Sequence, residues 1–418
     1  MQSWLNIAED SDFTLYNIPL GIFSTPDKTA RPCTRIGNTI VDLFALHALG
    51  YFDDVLNDDD FNAVLETEIL NPLFDLHKNR LSDLRNRIQS LFKKDNLTLQ
   101  ENSEHCDIVL HIANEVKMHL PIRINNYTDF YSSQEHAYNV GCMFRDPNNA
   151  LLPNWKHIPI GYHGRASSIL VSGTDIIRPK GQFKLPNIEN PVFEPTRQLD
   201  FELEMAFITR GGKPLGQSIG VNEAEDYIVG LCLFNDWSAR DIQAWEYVPL
   251  GPFLGKNFAS TMSPWIILLD ALQPFICEAP VQDVEVLPYL QEKKRNSYDI
   301  NLQVAIQAEK SEEQLICESN YKYLYWTMSQ QLAHHSVNGC NIQCGDVLAS
   351  GTISGKAENS YGSMLELCWK GTKPIVLKDG TSRTFINDND TIIMRAFCYK
   401  SGIRVGFGEC VGKILPAV

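Results

Sequence analysis

Leu199-Asp200-Phe201-Glu202-Leu203-Glu204-Met205-Ala206-Phe207 alternates apolar residues with acids over most of its length. A period of two is that of a strand, whose successive side chains point to opposite faces. Phe201, Leu203, Met205 and Phe207 then share a face that seeks a core, and Glu202 and Glu204 share the other. Two neighbouring carboxylates repel, and one takes up a proton unless a positive charge lies between them. A divalent cation is one answer, since oxygen donors suit magnesium or calcium. The other reading is an amphipathic strand with a wet acidic face, common on antiparallel sheets. On the segment alone the amphipathic strand is the better reading, and it loses ground only when the neighbours are counted.

The chain has 418 residues, enough for two or more domains with sizeable cores. Apolar residues make up 44% and charged residues 21%, the composition of a soluble globular protein. The formal charge of −15 argues against nucleic acid and against an anionic membrane surface as partners. It leaves small anionic substrates open, because a local cationic pocket can sit in an acidic protein. No apolar run approaches the ~20 residues that span a bilayer. The N-terminal Met1-Gln2-Ser3-Trp4-Leu5-Asn6 lacks the basic and apolar regions of a signal peptide. The eleven cysteines are scattered, mostly in apolar contexts, as expected of reduced thiols in a cytoplasmic protein. Cys340 and Cys344 lie close together, but no second pair completes a zinc spacing.

Ile18 to Phe23 reads as a strand, and Gly37-Asn38 as a two-residue turn between Thr34–Ile36 and Thr39–Val41. Leu81, Leu84, Ile88 and Leu91 recur at helical spacing, with Arg80, Arg85 and Arg87 outside the stripe. The run Asp58-Asp59-Asp60 suits a helix start. Nothing in this first part assembles chemistry, so 1–118 is expected to be a small β-rich domain with helical additions. Beyond a boundary near His119-Leu120-Pro121, residues 119–418 form the second domain. Ile169–Ser172, Tyr227–Phe234 and Ile300–Ile306 are its candidate strands, the second of them also readable as a helix end. Tyr323–His335 is a candidate helix, and the adjacent His334 and His335 should point apart. Ser363–Trp369 reads as a strand placing Glu366 among apolar neighbours. The Gly- and Pro-rich segment Tyr247–Lys256 looks like a loop over a site.

Polar and aromatic residues crowd the second part. His136 lies seven residues after Asp129 and nine before Arg145, a setting that favours a base over a satisfied core histidine. Asp236 fits a helix cap or a metal ligand equally. Tyr131, Tyr162 and Tyr247 fit core aromatics as well as ligand contacts, and Lys256 fits a surface lysine after a turn. A buried Glu366 is costly unless paired, which favours a functional role.

The strings Tyr127-Thr-Asp-Phe-Tyr-Ser-Ser133, His136-Ala137, Asn139-Val-Gly141 and Met143-Phe-Arg-Asp146 follow one another in order. So do Gly161-Tyr-His-Gly-Arg-Ala-Ser-Ser168, Asp200-Phe-Glu-Leu-Glu204 and Asn235-Asp-Trp-Ser-Ala-Arg-Asp-Ile-Gln243. Leu250-Gly-Pro-Phe-Leu-Gly-Lys256 and Gly351-Thr-Ile-Ser-Gly355 complete the series. Over nearly its whole length the chain resembles the fumarylacetoacetate hydrolase family. The resemblance implies an α+β, predominantly β fold: an SH3-like N-terminal barrel, then a mixed β-roll catalytic domain, assembled as a homodimer. It implies hydrolysis of 4-fumarylacetoacetate, a dianionic diketo acid, to fumarate and acetoacetate, the last step of tyrosine and phenylalanine degradation. Carried over by residue, Asp129, Glu202, Glu204 and Asp236 would hold Ca2+ or Mg2+, with Lys256 and Ser260 close by. His136 would be the base, oriented by Glu366. Arg240, Gln243 and Lys256 would hold the oxyanion, and Tyr131, Arg145, Tyr162, Gln243, Tyr247 and Thr352 would bind substrate oxygens. The chain departs from the family pattern at Asn126, where an acid is usual, at Gln134-Glu135, where Arg-Gln is frequent, and at Ala259-Ser260, where Gly-Thr is usual. None of these removes a group the chemistry requires.

Splitting a bond between two ketone-bearing carbons needs an activated water and a stabilised carbanion leaving group. A base with an oriented imidazole supplies the first. A Lewis acid and fixed donors supply the second. Rival readings are another metal–enolate reaction on the same scaffold, such as acylpyruvate hydrolysis, and a catalytically dead assembly protein. The N-terminal part weighs against the former, and retention of His136, Lys256 and Glu366 against the latter.

Overall fold

The structure is a computed structural model that describes residues 1–53 and 63–418. The acidic run at Asp58 to Asp60 lies outside the described residues. The N-terminal part is a five-stranded sheet in which Leu20–Thr25, Lys28–Ile36 and Thr39–Asp42 form a meander. Leu110–Ile112 and Lys117–His119 close its two edges. The expected two-residue turn is present: Ile36 pairs with Thr39, and Gly37 adopts φ 56°, which a glycine tolerates. The Asp42 carboxylate accepts from Ala45 N–H at 2.9 Å, and the helix Leu43–Ala48 starts there. The helix Lys78–Leu91 buries Leu81, Leu84, Ile88 and Leu91, the stripe read from spacing.

The second part is built on an eight-stranded sheet. Across it run Gly161–His163, Tyr127–Phe130, Val347–Ala349, Leu203–Thr209, Ile228–Asp236, Ser260–Met262 and Ile169–Val171. Ile267–Leu268 adds a further pairing to Ile228–Asp236. The segment that could have been strand or helix end is therefore strand. Pairing is mixed: Val347–Ala349 lies parallel to Tyr127–Phe130, while Leu203–Thr209 is antiparallel to both its neighbours. A second sheet of five strands carries Asn301–Gln307 beside Gln314–Asn320 and the long terminal hairpin Thr391–Lys400/Ile403–Leu415. The fold is predominantly β with some helices.

Leu203–Thr209 is buried along its whole length, on both faces. Leu203, Met205 and Phe207 enter the larger core between the two sheets. Ala206 and Ile208 face the other way and join a second core with Leu81, Leu84, Ile88, Phe52 and Leu43 of the N-terminal part. That core is continuous across residue 119, so the N-terminal layer covers this face of the sheet at Ala206 and Ile208. The wet acidic face is overturned: Glu202 is 5% exposed and Glu204 fully buried. Ser363–Trp369 also differs from expectation. Met364–Leu367 is a short helix, N-capped by Ser363, whose Oγ accepts from Glu366 N–H at 3.3 Å. The helix Met328–Ser336 occupies the second half of the expected helical segment, with a capping box of Thr327 and Gln330. Among the described residues, no helix is long and apolar enough to cross a membrane.

Candidate active site

The register of the central sheet gathers the acids. Leu203 pairs with Asn235, which sets Glu202 beside Asp236. Ala206 pairs with Ala349, and Ala349 with Asp129, so one small residue, Ala349, separates Asp129 from the Leu203–Thr209 strand. Asp129, Ala349, Ala206, Glu204 and Glu202 share one face by the alternation of strands. The four carboxylates of Asp129, Glu202, Glu204 and Asp236 are buried and offer oxygens that all lie within 4.8 Å of one another.

Positive charge lies against only part of this cluster. Lys256 Nζ donates to Glu202 Oε2 and, at 2.6 Å, to Asp236 Oδ2. Arg240 contacts Glu202 Oε1 at 2.8 Å through Nη2 and donates to Asp200 Oδ2 at 2.8 Å through Nε. Ser260 Oγ donates to Asp236 Oδ1 at 2.9 Å, and Tyr162 OH to Asp236 Oδ2 at 3.2 Å. Glu204 Oε2 accepts from Gly351 N–H at 3.1 Å. Asp129 Oδ1 and Glu204 Oε1 are buried without a hydrogen-bond partner. Burial would raise Glu202, but Lys256 and Arg240 hold it far below the usual carboxylate range. Burial, then neighbouring carboxylates, push Asp129 and Glu204 well up. Asp236 is also raised, by burial against the pull of Lys256. Two orphaned acceptors among four crowded carboxylates are the donor set a hard divalent cation takes. The residues therefore fit such an ion.

Beside the acids stands the second half of the site. The helix Gln134–Phe144 starts at Ser133, whose Oγ accepts from His136 N–H at 3.2 Å. His136 Nδ1 lies 2.6 Å from Glu366 Oε2. Ser354 Oγ and Ser363 Oγ also donate to Glu366 Oε2, each at 2.9 Å, and Asn139 Nδ2 donates to Oε1 at 2.9 Å. Burial opposes the charge on Glu366, yet His136 and these donors lower it below its ordinary value. The Tyr131 ring meets the His136 imidazole edge-on at 5.3 Å.

The sequence-predicted residues divide as follows. Asp129, Glu202, Glu204, Asp236, Lys256, Ser260, Arg240, Tyr162, His136, Glu366 and Tyr131 converge. Gln243 joins them through its Oε1, which accepts from Arg240 Nη1 at 3.3 Å. Thr352 is buried next to Gly351 with its hydroxyl unpartnered. Arg145 and Tyr247 lie further out: the Arg145 guanidinium donates to Ala150 O at 2.7 Å, and Tyr247 is half exposed. Asp200, Asn139, Ser354 and Ser363 were not singled out from sequence. Asp200 stands two residues before Glu202 in the same alternation, and Asn139 and Ser354 lie within strings of the resemblance.

Two family descriptions match the chain: "Fumarylacetoacetate (FAA) hydrolase C-terminal" over residues 125–414, and "Fumarylacetoacetase N-terminal" over 16–121. The chain belongs to the fumarylacetoacetate hydrolase family. It is similar to a fumarylacetoacetase of Dictyostelium discoideum, 49% identical over 423 residues, covering all of this chain and 98% of the relative. The fumarylacetoacetase of Homo sapiens is also 49% identical, over 418 residues, covering 100% and 99%. That of Arabidopsis thaliana is 47% identical over 419 residues, with the same coverage. Among solved structures, a fumarylacetoacetate hydrolase from Exiguobacterium antarcticum superposes with a TM-score of 0.52 at 16% identity, covering 96% of this chain and 99% of that one. That likeness speaks for the fold alone. As a member of the fumarylacetoacetate hydrolase family, the chain is a hydrolase.

Proposed function

We propose that the chain hydrolyses the carbon–carbon bond of 4-fumarylacetoacetate to give fumarate and acetoacetate. One observation carries the reading: four buried carboxylates with two unpartnered oxygens stand beside a histidine–glutamate pair, in a chain similar over its full length to fumarylacetoacetases. Asp129, Glu202, Glu204 and Asp236 would hold calcium or magnesium, which when bound supplies Lewis-acid stabilisation to charge developing on the diketone oxygens.

The chain's own groups do the remaining work. With Nδ1–H donated to an ionised Glu366, the His136 Nε2 lone pair is left to take a proton from water. Glu366 holds the ring in place and stabilises the imidazolium that results. An ammonium has three N–H donors, and Lys256 uses two on Glu202 and Asp236, so one remains for a substrate oxygen. Gln243 spends its carbonyl on Arg240, which leaves its amide N–H groups for the oxyanion. Removing a donor of this kind typically costs ~10²–10³ in rate. Tyr131, Tyr162, Arg145, Tyr247 and Thr352 would complete the contacts to substrate.

We also propose an SH3-like barrel over 1–118 and a β-roll catalytic domain over 119–418. Supporting the division is the closure of the N-terminal sheet by Lys117–His119. Val248, Leu250 and Phe253, 68%, 96% and 66% exposed, support a homodimer, since clustered exposed apolar side chains mark contact surfaces. Eleven unpaired cysteines support a cytoplasmic location. The test of the reaction is turnover of purified protein with fumarylacetoacetate, followed by loss of ultraviolet absorbance, alongside His136→Ala. The wild type turns over and His136→Ala does not, with its fold retained. Unchanged turnover in His136→Ala rejects the base.

A further inference from the structure

Asp200 is fully buried and plays no part in the reaction as described above. It lies on the short strand Leu199–Asp200, which pairs with Ser238–Ala239, immediately before Arg240. Its Oδ1 accepts from Met364 N–H at 2.7 Å, and its Oδ2 from Leu365 N–H at 3.0 Å and from Arg240 Nε at 2.8 Å. Met364 and Leu365 open the four-residue helix that carries Glu366. The first N–H groups of a helix have no partner within it. Here Asp200 takes two of them and Ser363 Oγ takes that of Glu366.

The same carboxylate therefore has one arm on each half of the site. Through Arg240, whose Nη2 contacts Glu202, it reaches the acid cluster. Through the turn at 364–366 it fixes where Glu366 begins, and so where the carboxylate that meets His136 Nδ1 can stand. A helix of four residues has little internal bonding to hold its own orientation, so these two bonds set it. Without Asp200, Arg240 would keep only Glu202 and Gln243 as partners.

We propose that Asp200 is a positioning residue that ties the oxyanion-side Arg240 to the Glu366–His136 pair and fixes the imidazole for proton transfer. This rests on the reading of His136 as the base. The test compares Asp200→Asn, Glu366→Gln and the double variant in the full-length, cation-loaded enzyme. It reads kcat, KM and the 1H resonance of His136 Nδ1–H after 15N-histidine labelling. Asp200→Asn should lower kcat at least tenfold, about the effect of one misplaced hydrogen bond, with KM within about threefold. The Nδ1–H resonance should move, and Asp200→Asn should add little in the Glu366→Gln background, because residues acting through one another are not additive. A folded Asp200→Asn with an unmoved resonance, or effects that multiply in the double variant, would overturn the proposal. Should Asp200→Asn not fold, Asp200→Glu keeps the charge while displacing it by one methylene, and the same resonance decides. Normal turnover by His136→Ala would instead remove the base reading, and the resonance shift would still report on the tie.

Discussion

Replacing Glu366 with Gln removes one charge and almost no volume. The carboxylate is buried and accepts four hydrogen bonds, from His136 at 2.6 Å and from Ser354, Ser363 and Asn139 at 2.9 Å each. The serine hydroxyls can turn and the Asn139 amide can flip to meet the new NH2 group, so the fold should survive. What cannot be replaced is the charge opposite the imidazolium that forms when His136 takes a proton. Two unit charges about 4 Å apart at an effective dielectric near 20 attract by ~4 kcal/mol. A neutral amide keeps roughly 1 kcal/mol of hydrogen bonding. A net loss of about 2–3 kcal/mol of transition-state stabilisation lowers kcat by roughly 30- to 150-fold. KM should hold within about threefold, because both Glu366 oxygens are spent on His136, Ser354, Ser363 and Asn139. Steady-state kinetics on fumarylacetoacetate read both constants. A kcat within threefold of wild type in a folded Glu366→Gln variant would refute the charge argument.

Gly351 adopts φ 76°, and a Cβ there would stand 2.1 Å from Phe130 O. Gly351→Ala should lose about 2–4 kcal/mol of stability, read by denaturant unfolding. It should also weaken cation binding, because Gly351 N–H holds Glu204. Glu292 is raised to about 7 by burial, against the Thr327 hydroxyl and Arg295. Its folded state therefore holds a proton that the unfolded chain releases near pH 4.3, and stability falls as pH rises from there through 7. Glu292→Gln should flatten that fall and raise the melting temperature at pH 8, by the equivalent of about 1–3 kcal/mol. An unaltered pH dependence of melting contradicts the assignment.

Local signals were legible where local forces decide. The Gly37-Asn38 turn and the Leu81–Leu91 stripe appear in the structure where spacing puts them. The alternation at Leu199–Phe207 predicts one strand where the structure has two, Leu199–Asp200 and Leu203–Thr209, and leaves their environment open. Period two tells which acids share a face, and not whether water or other acids cover that face. The cover over the acids comes from Lys256, Arg240, Tyr162 and Ser260, brought in from other segments, while Leu81 and Leu84 close the same face over Ala206 and Ile208. Glu366 shows the same limit. Met364–Leu367 is apolar enough to read as strand, and it is helical because Ser363 caps it and Asp200, 164 residues away, takes its first N–H groups. Lys256 and Asp236 could be surface lysine and helix cap on local pattern, and their roles in the sequence reading came from the resemblance. The polar setting of His136 already favoured a base, but only the tertiary register brings the three to one place. Ser354 and Asn139 lie within strings of the resemblance without a role of their own there, and they become meaningful once Glu366 is seen between them.

If the proposed function is right, Asp129, Glu202, Glu204 and Asp236 bind one divalent ion that catalysis requires. Calorimetric titration of chelator-stripped protein with calcium or magnesium, paired with recovery of turnover, tests it most directly. The expected result is one site per chain, activity restored in step with its filling, and loss of both in Glu202→Ala/Glu204→Ala with the fold intact. Full turnover by stripped protein, or native cation affinity in the double variant, would contradict it.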